Sequence, residues 1–342
     1  MRASRFLIAA VVVALAACGA KGPGGGGLPG GGGLPGGGGG GGSVDPNTCG
    51  NYAASEAGAK LKAFLEAVAA LDKESKEVVA TIRAGCVSMG KELGVADFSD
   101  SMEVKDVCAK AWGAYNDALK VGIKGKAALK IKYVPAVCRV NIEATAEVAA
   151  KCEGKASADV GAKCEGTCNG KCEGTCAGGA KAGGGGAGGG GECKGQCNGT
   201  CKGKCEGKAD VKASGQCKAK AQAQASASME CTPAKLDVSL DAKLVADKGK
   251  ADMVVKALQM GVAKILDVKA KLGQLGAAVE TTVSTAGELK AMGPKLFNSF
   301  GDQALCISGQ VAAAAQGAMS IQANVNVSVS VSAEASGSVS GG

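Results

Sequence analysis

The chain has 342 residues, with 57 glycines, 17 cysteines, 39 lysines and arginines against 31 aspartates and glutamates, 3% aromatic residues and no histidine. Without histidine there is no Ser-His-Asp or Cys-His nucleophile pair, no imidazole metal ligand and no side chain that ordinarily titrates near neutrality, so an enzyme is not expected. About a sixth of the chain is glycine, which predicts a core smaller than the length suggests. Beyond the N-terminal leader, no stretch reads as apolar over the roughly 20 residues that a membrane span needs.

Met1 to Cys18 reads as a secretory signal, with Arg2 and Arg5 as its basic start and Phe6 to Ala14 as a short apolar run. It ends Leu15-Ala16-Ala17-Cys18, which resembles the lipobox of bacterial lipoproteins. That resemblance implies cleavage before Cys18, lipid on its sulfur and amine, and, with Gly19 rather than Asp next, delivery to the outer membrane. An ordinary signal peptide cut nearby is the alternative. Gly19 to Ser43 is a low-complexity linker. Its 25 residues span roughly 25–30 Å as a flexible tether, and several acyl chains would make a stable anchor.

Sixteen cysteines remain after Cys18, an even number in an exported chain, where disulfides form and persist. Six pairs have residue numbers that sum to 369: Cys138 with Cys231, Cys152 with Cys217, Cys164 with Cys205, Cys168 with Cys201, Cys172 with Cys197, and Cys176 with Cys193. A constant sum is what antiparallel pairing produces. The spacings along each arm are even, so in a strand all these cysteines share one face. The same sum sets Val140, Ile142, Ala144, Ala146, Val148 and Ala150 against Met229, Ala227, Ala225, Ala223, Ala221 and Ala219, and it sets Gly166, Gly170 and Gly174 against Gly203, Gly199 and Gly195. On the other face Glu165 meets Lys204, Lys163 meets Glu206 and Arg139 meets Glu230.

These features predict a long two-stranded antiparallel ribbon over 125–241, turning at a Gly-rich tip, Ala177 to Glu192. Extended, Cys138 to Cys176 would reach on the order of 120 Å. Three rivals stand beside it. Two helices stapled through their CxxxC repeats would also give a constant sum, but glycine at every fourth position costs about 1 kcal/mol each in a helix. A metallothionein-like thiolate cluster would not place apolar residues in register far from the cysteines. A disordered Gly/Ala/Lys segment would not explain the alternation from Lys218 to Met229.

The remaining chain predicts helices. Leu61, Leu65, Val68, Leu71, Val79, Ile82, Cys86, Met89 and Leu93 form one stripe, either one helix or two broken near Asp72 to Ser75. Val107, Cys108, Ala111, Trp112, Tyr115 and Leu119 form a second. Val255, Leu258, Val262, Ile265, Val268, Leu272, Leu275, Val279 and Val283 form a third, ending at Gly293-Pro294, and a short helix follows from about Ala304 to Met319. Leu129, Ile131 and Tyr133 fall opposite Leu240, Val238 and Leu236, with a change of face across Pro135 and Pro233. Ile321 to Ser332 alternates apolar and polar residues and predicts a strand beside the ribbon's base. For Cys49, Cys86, Cys108 and Cys306 three connectivities exist. The Asp97 turn lies nearly midway between Cys86 and Cys108, which favours Cys86–Cys108 with Cys49–Cys306.

The expected fold is α+β: an antiparallel helical base, a cystine-laddered ribbon and a C-terminal strand. The expected divisions are 1–17 signal, 18–43 lipidated cysteine and tether, 44–124 and 242–320 helical base, 125–241 arm, and 321–342 strand and tail. No catalytic, cofactor or metal residues stand out, and no phosphate loop occurs. The +8 charge is spread along the chain without aromatics beside the lysines, so nucleic acid is a poor partner. Two roles are expected: a lipid-anchored structural spacer that associates through its Ala/Gly/Cys face, or a surface binding module using the tip or the bundle. CEGTCNGKCEGTC from Cys164 to Cys176 resembles the Cys/Gly-repeat lipoproteins of myxobacteria, a likeness that implies location and no activity.

Overall fold

Local signals open and close most of the helices. The Ser55 hydroxyl accepts from the Gly58 N–H at 3.1 Å, Asn141 caps through Ala144 at 3.1 Å, and Asp247 caps through Lys250 at 2.9 Å. Gly154 ends its helix at φ 67°. The computed structural model describes residues 44–124, 129–177, 191–292 and 298–340. In chain order the main elements are α1 (Glu56–Glu92), α2 (Val104–Gly122), β1 (Leu129–Val134), β2 (Val137–Asn141), α3 (Ile142–Glu153), β3 (Ala162–Ala177) and β4 (Gly191–Val211). There follow α4 (Gly215–Ala227), β5 (Glu230–Thr232), β6 (Lys235–Leu240), α5 (Lys248–Ala257), a π turn (Leu258–Val262), α6 (Ala263–Met292) and α7 (Ala304–Ser340). The fold is α+β.

The helical base packs α1 against α2, α4, α6 and α7. Its centre is Phe64, Leu65, Leu71, Ile82 and Met89 of α1 with Leu258, Ile265, Leu275, Leu289 and Ile307, each no more than 1% exposed. α1 runs unbroken through Asp72 to Ser75, because the Ser75 hydroxyl turns inward and donates to the Asp72 carbonyl at 3.0 Å. At its middle α1 buries Val78 rather than Val79. The π turn sits where Gly261 meets α1, and a Cβ there would lie 2.5 Å from that of Met89.

β1 and β6 pair alone, with Leu129 opposite Leu240, Ile131 opposite Val238 and Tyr133 opposite Leu236. Beyond the prolines β2 pairs with β5, Cys138 opposite Cys231 and Arg139 opposite Glu230, inside a four-stranded sheet of order β3-β4-β2-β5.

Two expected strand regions are helical. The ribbon does not continue through 142–153 and 215–227; those segments are α3 and α4, an antiparallel helix pair still joined by Cys152–Cys217. The reason lies in packing. α4 is surrounded by α1, α3, α6 and β4, so Ala219, Ala221, Gln222, Ala223, Ala225 and Ser226 are all buried and alternation marks no single face. Alanine, the strongest helix former, then decides the backbone.

The C-terminal strand is likewise replaced. Ile321 to Ser332 lies within α7, which buries Ile321, Val325, Ser328, Val331, Ala335 and Val339 at helical spacing against α1 and α6. Ser328 satisfies its hydroxyl within the helix, donating to the Asn324 carbonyl at 2.8 Å. Strand preference in valine depends on the surface it meets, and here that surface is two helices. Among the described residues Gly301–Val339 is also long and apolar enough to cross a membrane by length and composition, which corrects the expectation that only the leader qualifies. Its buried residues make it a helix of the bundle.

Candidate functional site

The cystine repeat forms a coil rather than a flat ribbon. β3 carries Cys164, Cys168, Cys172 and Cys176 with glycine midway between each pair, and β4 repeats the pattern from Cys193 to Cys205. Even spacing puts cysteine and glycine on one face and Lys, Glu, Thr and Asn on the other. Ala162–Ala177 pairs with Gln196–Val211 in a register whose numbers sum to 373, so that Cys168 faces Cys205 and Gly170 faces Gly203. Cys168 to Cys172 pair a second time, with Gly195 to Gly191, at a sum of 363. A strand has two hydrogen-bonding edges, so Cys168 has Cys205 on one side and Gly195 on the other. Those neighbours are ten residues apart in β4. Ten residues therefore carry β4 once around, and the two strands wind about each other.

The dimensions follow from strand geometry. Each turn advances two strand spacings, about 9.5 Å, and the cystines that bridge its walls hold their Cα atoms 5.6–5.9 Å apart. That separation leaves room in the lumen for cystines alone. Cys168, Cys193, Cys201 and Cys205 are 0% exposed.

All eight disulfides in the structure are Cys49–Cys306, Cys86–Cys108, Cys138–Cys231, Cys152–Cys217, Cys164–Cys205, Cys168–Cys201, Cys172–Cys197 and Cys176–Cys193. The four in the coil have Cα separations of 5.6–5.9 Å, yet they are not rungs of the ladder. Cys168 faces Cys205 in register and bonds Cys201, four residues further round. The cystines thus cross the lumen to the far wall. The facing glycines are Gly166 with Gly207 and Gly174 with Gly199, and Glu165 and Lys163 lie opposite Lys208 and Asp210, not Lys204 and Glu206. A flat ribbon would leave its apolar face and both edges open; winding encloses that face and pairs the second edge of β3 over Cys168 to Cys172.

The glycines are what permit the winding. Gly166, Gly170, Gly174, Gly199, Gly203 and Gly207 have φ between 136° and 157°, and a Cβ on any of them would run into a carbonyl of the facing strand. The arm is also short. β3's 16 residues make about one and a half turns, on the order of 15 Å, in place of the extended 120 Å. Much of its Ala/Gly/Cys face is covered within the chain, by the lumen and by α1 and α6.

Side chains fasten the coil to the base. Glu206 accepts from Arg139 at 2.6 Å and from Asn169 at 2.9 Å, and Lys204 pairs with Glu230. Gln274 accepts from the Ala209 N–H at 2.9 Å while Gln222 donates to its carbonyl at 3.3 Å. Glu153 joins Lys60 of α1 at 3.2 Å to the Ser214 N–H at 2.6 Å. Burial pushes the Glu153 carboxyl up, but those donors outweigh it and hold it below the usual range. Cys18 and the tip over 178–190 lie outside the described residues.

Sequence reasoning missed a cavity of about 320 Å³ at the seam of base and sheet, lined by Glu74, Val78, Cys231, Pro233, Asp267 and Lys271 among others. Burial raises the Glu74 carboxyl above its usual value, against the Ser226 hydroxyl that donates to it at 2.8 Å. A raised folded value means that ionising Glu74 costs stability as pH rises through it; below the unfolded value that cost vanishes. Glu74→Gln is expected to raise the melting temperature by roughly 1–3 °C at pH 7 and to leave it unchanged below about pH 4. Melting curves at the two pH values check it.

The density of disulfides fits an oxidising environment outside the cytosol, extracellular or in the cell envelope. Compared with known protein families, curated proteins and solved structures, the chain matches none.

Proposed function

We propose that this is a structural protein of the cell envelope, held by lipid on Cys18, that presents a compact, covalently locked module on a glycine tether. The observation that carries the reading is the coil, in which eight cysteines and six positive-φ glycines serve only to close a lumen too narrow for a ligand. The sixteen cysteines after Cys18 form eight disulfides, which supports this reading over a thiolate metal cluster. Reach, in this reading, comes from the tether, because the coil is short.

The test is fractionation of a bacterial host expressing the full chain. The parent is expected in the membrane fraction and released by detergent alone, whereas Cys18→Ser is expected soluble, with its disulfides intact. A parent that is soluble, or a Cys18→Ser chain that stays membrane-bound, overturns the anchor. A second reading, a binding module, is favoured by the polar groove at the base of the coil.

A further inference from the structure

Where β4 leaves the coil, a groove of about 430 Å³ opens between α4 and α6, within the size range of small-ligand sites. Its coil side is Glu165, Lys208 and Asp210, its α4 side Lys218 and Gln222, and its α6 side Glu280, Thr281, Ser284, Thr285 and Glu288. We propose that it binds a small aliphatic polyamine, a ligand class that goes beyond a structural role and rests on no part of it.

Gln222 is 3% exposed, and its Oε1 has no partner even though its Nε2 is used on the Ala209 carbonyl. A buried amide oxygen left in this state costs on the order of 1–3 kcal/mol, and a ligand N–H reaching it recovers that cost. Around it the groove offers carboxylates and the hydroxyls of Thr281, Ser284 and Thr285, all able to accept from an ammonium group. Asp210 is taken by Lys218 at 2.6 Å. Of the lining charges that leaves the carboxylates of Glu165, Glu280 and Glu288 against Lys208, so the groove favours a cation. An ammonium group is a donor with no acceptor, the complement of this set.

Other classes fit less well. A small anion meets an excess of carboxylates. The lining holds no aromatic ring for a sugar to stack on. Among the described residues no three His, Cys, Asp or Glu side chains converge as metal ligands.

Spermidine is the probe, titrated into the oxidised full chain by calorimetry and followed by the Gln222 side-chain amide resonances. Saturable binding with movement of those resonances is expected, weakened roughly five- to tenfold in Glu280→Gln/Glu288→Gln, whose two sites are exposed and leave the fold alone. Absence of saturable binding overturns the proposal. So does binding that the double variant leaves unchanged, or binding that never moves the Gln222 amide. Calcium in place of spermidine, bound with equal affinity and the same shifts, would also overturn it.

Discussion

Gly203→Ala is expected to stop the coil from closing. At φ 136° the residue occupies backbone space that side chains avoid, and its Cβ would stand 2.6 Å from the Asn169 carbonyl oxygen and 3.1 Å from the Gly170 Cα. The strained backbone costs about 1–3 kcal/mol and the overlap about as much again, because the obstacle is facing backbone that cannot rotate away. Together they take a large part of the 5–15 kcal/mol that holds an ordinary domain. Non-reducing peptide mapping should find Cys168–Cys201 and Cys172–Cys197 replaced by mixed pairings. Lys202→Ala, one residue away with its side chain outward, should leave all eight bonds in place. A Gly203→Ala chain with native pairing and an unshifted melting point would rule out the closed coil.

Full reduction without denaturant is expected to expand the molecule and spare its helices. The coil buries cystine and glycine and almost nothing else, whereas the base buries Phe64, Leu65, Ile82, Leu275 and Leu289. On the loop-entropy account the four nested coil disulfides contribute about 10 kcal/mol, far more than a two-stranded pairing supplies by itself. The coil should therefore open, with β3 and β4 amides exchanging freely and the scattering radius rising. Helical circular dichroism should fall only slightly, since Cys86–Cys108 and Cys49–Cys306 lie against a core that packs without them. A radius that shrinks on reduction would favour the extended arm instead.

Much of this architecture is legible in residue numbers. The sum of 369 gives the β1–β6 register, the β2–β5 register and the partner of every cysteine from Cys138 to Cys231. It misleads inside the coil, where ladder neighbours sum to 373 and 363. A constant sum records which residues are linked, and a cystine across a lumen leaves the same arithmetic as one between neighbouring strands. The glycine at every fourth position carried the missing information, since a flat ribbon has no need of positive φ.

Period-two alternation misled at α4 and at the end of α7 for a related reason. Alternation identifies a strand only when one face is buried and the other wet. α4 packs against α1, α3, α6 and β4, and α7 borrows its surface from two helices, so the burial pattern was set by neighbours that local sequence does not reveal. The cavity beside Glu74 and the groove above Gln222 were invisible for the same reason, because their walls come from segments far apart in the chain.

By itself the sequence determined the exported, lipobox-like start as an expectation, the helical stripes and the antiparallel order of the cysteines. These depend on spacing along one chain or between two arms joined at a single turn. Whether those arms lie flat or wind, whether alanine and valine run as strands or helices, and which polar groups end up buried together were decided only by tertiary structure. Each of those outcomes depends on which surface covers a residue, and coverage is a property of the packed whole.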